Sequence, residues 1–162
     1  MKLALLLLPF ILCNLVFSQS NLTMNKHASG EFEIKLTPQP ATDAGFGHLV
    51  FDKQFQGALE ATSKGEMWTS GEASKGAAGY VALERVTGKL DGRAGSFVLQ
   101  HSGSMSAGKL QLAVTFVPGS GSGELTGIDG AMTIRIEGGK HFYQLDYTLA
   151  EPQTSADQTS KH

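Results

Sequence analysis

The stretch Tyr80-Val-Ala-Leu-Glu-Arg-Val-Thr-Gly-Lys-Leu-Asp-Gly-Arg-Ala-Gly-Ser-Phe-Val-Leu-Gln-His101 decides the fold of this chain. After a Ser/Gly-rich turn it continues as Lys109-Leu-Gln-Leu-Ala-Val-Thr-Phe116. Apolar and polar residues alternate along it with period two, the pattern of half-buried strands. Asp91-Gly92 lies between two alternating runs, and this dipeptide suits a two-residue turn whose central residues both need positive φ. With Leu90 opposite Arg93, the register places Glu84 against Leu99 and Ala82 against His101. Tyr80, Ala82, Glu84, Val86, Phe97, Leu99 and His101 then share one face. A second turn at Ala107-Gly108 pairs Ser106 with Lys109 and adds Leu110, Leu112, Val114 and Phe116 to it. The expected product is an apolar sheet face carrying one carboxylate and one imidazole as diagonal neighbours.

Composition narrows the class. The 13 basic and 15 acidic residues are sparse and balanced. With no Lys/Arg cluster or stripe, nucleic-acid binding is not expected. The 20 glycines fit an all-β protein with many tight turns and lack a collagen period. Residues 1–18 read as a cleaved signal peptide, with Lys2 in the n-region and an apolar run from Leu3 to Phe17. That run is shorter than the ~20 residues a spanning helix needs, so no membrane association is expected after cleavage. The protein is expected to be exported, to a periplasmic or extracellular location. The single cysteine, Cys13, falls in this leader, which leaves the mature chain without a thiol or disulfide.

Residues 27–150 read as one β-barrel domain, roughly the size that buries its own core, and 151–162 as a disordered polar tail. Asn21 to His27 reads as a flexible arm, and Asn21-Leu22-Thr23 is a glycosylation sequon. Strands are expected over about 28–37, 48–56, 58–69 and then the three runs above, followed by 128–137 and 141–150. Pro38 and Pro40 end the first strand, and the stretch to Gly47 is long enough to lie over a barrel mouth. Ser63-Lys64-Gly65 interrupts the alternation and predicts a bulge or hairpin tip. Ser70 to Gly79 reads as loop. The Pro118-to-Gly123 segment lacks the Lys-Ser/Thr and helix start of a phosphate loop, and so reads as a connection between strands. About eight strands and no helix predict an antiparallel closed β-barrel, with a two-sheet sandwich as the alternative.

Val81 to Gly103, Val117-Pro-Gly-Ser-Gly-Ser-Gly-Glu-Leu-Thr-Gly127, Leu145-Asp-Tyr-Thr-Leu149 and the opening His27-Ala-Ser-Gly-Glu-Phe-Glu33 together resemble the bacterial domain of unknown function 3224 family. The resemblance covers nearly the whole mature chain. It implies an allene-oxide-cyclase-like barrel with an interior cavity and self-association. The family has no established reaction, so the resemblance supplies a fold more than an activity.

Glu84 and His101 are the candidate catalytic pair. In an apolar barrel, desolvation disfavours the ionised carboxyl, while a neighbouring imidazolium favours it, and either balance makes a proton donor or acceptor. The plainer alternative is that the two only satisfy each other in a packed core. Candidate ligand-lining residues are Tyr80, Phe97, Leu99, Val114, Phe116, Trp68 and Tyr147; Tyr143 shares Tyr147's face. Arg85 and Gln100 fall on the opposite face with Leu83 and Val98, as solvated surface or as a homo-oligomer interface. The 5 histidines are scattered without ligand spacing, so neither metal nor cofactor is expected. The reading that follows is an exported barrel holding a small apolar molecule. The alternatives are a cofactor-free isomerase or cyclase using Glu84 and His101, and a filled structural barrel that self-associates.

Overall fold

Residues 24–40 and 43–149 are described by a computed structural model of the chain. Expectations placed on residues 1–18, on Asn21-Leu22-Thr23 and on 151–162 lie outside them. The strands are β1 (Met24–Gln39), β2 (Gly47–Gly57), β3 (Leu59–Glu72), β4 (Ala77–Leu90), β5 (Arg93–Ser106), β6 (Lys109–Phe116), β7 (Ser122–Gly123), β8 (Asp129–Glu137) and β9 (Lys140–Leu149). The sheet runs β4-β3-β2-β1-β9-β8-β6-β5, and β4 also pairs with β5, which closes eight antiparallel strands into a barrel. The two-residue β7 is an addition. It pairs with Gly95 and Ser96 of β5 just past the point where Phe116 opposite Leu99 ends the β6 ladder. It therefore covers backbone that would otherwise be an open edge.

Both short turns set the expected register. Asp91 and Gly92 have φ of 49° and 79°, Ala107 and Gly108 of 49° and 73°, the left-handed pairs that match the twist of the flanking strands. Leu90 faces Arg93, Glu84 faces Leu99, Ala82 faces His101, and Ser106 faces Lys109. The shared face points into the barrel, since Val86, Leu99, Phe97 and Val114 are buried along with Glu84.

Four boundaries differ from the sequence expectation. β1 begins at Met24 rather than Ala28, because Met24 to His27 pair with Leu149 to Asp146 and close β9 into the ring. Polar composition misled there because only one face of those residues is wanted. Ser63-Lys64-Gly65 is neither bulge nor tip but the continuous middle of β3. Ser70 to Gly79 is mostly strand, with only the 3₁₀ turn Ala73–Lys75 and Gly76 between β3 and β4. Ser122–Gly123 forms β7 inside the glycine-rich connection.

The barrel has two unlike ends. At the end carrying the Asp91-Gly92 turn, Phe55, Leu59, Leu90, Phe97, Phe116 and Leu125 are all buried, and the Phe97 and Phe116 rings lie 4.9 Å apart. Polar atoms there are bonded rather than wet. Tyr143 Oη accepts from the Leu59 N–H at 2.8 Å and donates to the Gln56 carbonyl at 3.2 Å. Tyr147 Oη donates to Asp91 Oδ2 at 2.6 Å. The opposite end, beyond Tyr80 and Phe51, is the mouth.

Candidate functional site

Strand pairing dictates the site. Lys53 on β2 faces Ser63 on β3, which faces Val86 on β4; Gly65, two residues on, faces Glu84. Glu84 and His101 sit on adjacent strands as diagonal neighbours. All four polar side chains therefore turn inward at one level of the barrel. The Glu84 carboxylate is 0 % exposed, and Lys53, Ser63 and His101 are buried beside it. Its Oε1 accepts from Ser63 Oγ at 2.5 Å, and its Oε2 accepts from Lys53 Nζ at 2.7 Å. His101 Nε2 lies 2.8 Å from the same Oε2.

The electrostatics follow from those bonds. Burial alone pushes the Glu84 carboxyl upward, but the hydrogen bond from His101, the charge and hydrogen bond of Lys53, and the Ser63 hydroxyl outweigh it. The group is held below the usual carboxylate range. Burial pulls the Lys53 ammonium down against the upward pull of Glu84. Three rings shelter that ammonium, with centroids of Phe32, Phe51 and Phe55 at 4.8, 5.2 and 5.6 Å, so its remaining face meets aromatic π density instead of water. Burial, and secondarily the charge of Glu84, push the Tyr80 hydroxyl up, so it stays a donor.

Two glycines make room for this arrangement. A Cβ on Gly65 would lie 2.2 Å from Phe51 Cζ, and one on Gly103 would lie 2.1 Å from Tyr80 Cε1. Phe51 thus roofs Gly65 across the β2–β3 pair, and Tyr80 roofs Gly103 across the β4–β5 pair.

Above this level, apolar residues at inward positions are exposed. Leu36, Leu110 and Ile136 occupy inward positions, since they pair with Phe51, Met105 and His141. Yet they are 48 %, 60 % and 64 % exposed. β6 and β8 pair only at Val114–Met132 and Thr115–Ala131. Toward the mouth the ladder stops, and Leu112 and Ile134 flank the parting strands, only partly buried.

The sequence-derived candidates divide among three places. Glu84 and His101 meet, and Tyr80 lies one step nearer the mouth. Phe97, Leu99, Val114, Phe116 and Tyr147 are buried in packed wall and core. Trp68 points outward, stacked on His48 with ring centroids 4.0 Å apart. With Val50, Val81, Leu83 and Val98 it lines a groove of about 820 Å³ on the outer wall, where Arg85 and Gln100 also lie. Lys53 and Ser63 escaped the sequence reading. A signal for Lys53 existed, since it shares parity with Phe51 and Phe55 on an apolar face. Among the described residues, no three or more His, Cys, Asp or Glu side chains gather as metal ligands.

The family described as a protein of unknown function, DUF3224, matches residues 28–147. This chain belongs to that family. A crystal structure of a DUF3224 protein with unknown function from Shewanella oneidensis MR-1 is similar, at 48 % identity and a TM-score of 0.74, covering 80 % of this chain and 99 % of that one. Among curated proteins, none matches. Membership fixes the fold and leaves the activity of DUF3224 proteins to be argued from the site.

Proposed function

We propose that this exported DUF3224 barrel binds a small apolar molecule in its mouth. The observation that carries the reading is the exposure of Leu36, Leu110 and Ile136 at inward positions. A barrel of eight strands has an interior just wide enough for side chains or one small ligand. Here the end near Asp91 is packed by side chains, and the other end presents bare apolar wall above Tyr80 and His101. Apolar concavity with a few convergent polar groups is the usual character of a small-molecule site. The outer groove beside Trp68, although Glu84 is among its lining residues, fits that role less well, because the Glu84 carboxylate bonds to Lys53, Ser63 and His101 inside the barrel. Its exposed Val81 and Leu83 favour self-association instead.

A catalytic reading has one specific support, the carboxylate-backed imidazole at the mouth floor. Glu84 has no exposed surface, so a proton exchanged with a ligand passes through His101, and Glu84 acts as its positioning residue.

Native mass spectrometry of the full chain purified from its own host tests the binding reading. A co-purified apolar adduct on the wild type, lost in Leu110→Glu and Ile136→Glu, is the expected result. An adduct that persists in both variants would place the ligand elsewhere and refute it.

A further inference from the structure

The hydrogen bonds made by Glu84 set the chemistry of His101. Glu84 Oε2 already accepts from the Lys53 ammonium, so the proton between Oε2 and His101 belongs to Nε2. Lys53 balances the charge of Glu84, and a second buried cation would lack a counter-charge. The neutral, Nε2-protonated ring is therefore the one the site accommodates, and its Nδ1 is a bare acceptor.

That acceptor has no partner within the described protein. His101 makes one side-chain hydrogen bond, through Nε2. No buried side-chain nitrogen or oxygen among the described residues lacks a partner. Nδ1 is thus not fully enclosed, although the residue as a whole is 4 % exposed. One step nearer the mouth, Tyr80, the diagonal neighbour of His101 across the β4–β5 pair, lies over Gly103, and its hydroxyl also carries no hydrogen bond to a described residue. Side chains so placed across neighbouring strands are within reach of a common group.

Resting on the mouth reading above, we infer that the ligand is an apolar molecule bearing a hydroxyl group, which donates to His101 Nδ1 and accepts from Tyr80 Oη. A hydroxyl meets both demands with one uncharged oxygen. A carboxylate head would turn lone pairs toward Nδ1 and bring a second anion beside Glu84, while an ether could accept from Tyr80 but leave Nδ1 unmet.

Binding of 1-naphthol, 1-methoxynaphthalene and naphthalene to the full-length protein, followed by calorimetry, tests this. The expected result is a roughly five- to tenfold tighter Kd for 1-naphthol than for 1-methoxynaphthalene, the value of one satisfied hydrogen bond. Tyr80→Phe, which removes only the hydroxyl, should shrink that preference, and His101→Phe should abolish it. A long-range ¹⁵N–¹H spectrum of the wild type supplies a check that needs no variant to fold. His101 Nδ1 should show the unprotonated resonance and move on adding 1-naphthol. Equal affinity for all three probes, or a protonated Nδ1, would overturn the hydroxyl inference and leave the mouth reading standing. No binding of any probe would overturn both.

Discussion

Lys53 Nζ lies 2.7 Å from Glu84 Oε2, with side-chain exposures of 4 % and 0 %. A pair so enclosed owes its existence to mutual neutralisation, because either ion alone in that position would face a large desolvation penalty. Ser63 and His101 complete the coordination of the carboxylate, so the four residues behave as one unit.

Lys53→Met should therefore destabilise the fold by about 3–5 kcal/mol, the range for leaving one buried charge unpaired. Adding Glu84→Leu to it should recover part of that loss, since the orphaned anion is gone. Urea denaturation of the two variants checks the sign of the coupling. A single-variant loss below about 1 kcal/mol is what an exposed pair gives and would contradict the burial.

Stability should also fall on acidification for a reason traceable to Glu84. Its folded-state pKa is depressed, so its contribution is fully present above the ordinary carboxyl value of about 4.3. That contribution is lost as pH drops through the lower folded value. The depressed Lys53 value acts at the alkaline end, where its unfavourable contribution fades as pH rises from the folded toward the unfolded value. Melting curves between about pH 2 and 7 should show a steep acid limb in the wild type. Glu84→Gln should flatten that limb; identical limbs would assign the acid sensitivity to other carboxylates.

The β4–β5–β6 meander was legible because two-residue turns leave no freedom of register, and Glu84 and His101 came with it. Lys53 and Ser63 belong to β2 and β3, joined through Gly57 and Ala58 and paired with β4 across the whole length of β3. No local turn rule reaches that far. The Ser63-Lys64-Gly65 run looked like a break because its residues are small or polar. Their roles are tertiary, since Ser63 donates to Glu84 and Gly65 leaves space for Phe51. Met24 to His27 were hidden likewise, because barrel closure, not local pattern, makes them strand.

Gly103→Ala should push the Tyr80 ring off β5, since the new methyl would occupy the position of its Cε1 edge. A cost of about 1–3 kcal/mol is expected for such overpacking. Gly65→Ala should do the same to Phe51, and additionally loosen the aromatic shelter of Lys53. Thermal melts give the cost, and ring resonances of Tyr80 and Phe51 report the displacement. A stable Gly103→Ala protein with an unmoved Tyr80 ring would contradict the close packing.

In the proposed function the apolar ligand sits in the barrel mouth and not on the outer wall. Heteronuclear NMR of the full-length protein titrated with 1-methoxynaphthalene tests it most directly. Saturable shifts are expected at Leu110, Leu112, Ile134, Ile136 and His101, with Trp68, Val81 and Leu83 unchanged. Shifts confined to Trp68, Val81 and Leu83 would contradict it, and would move the site to the groove on the outside of the barrel.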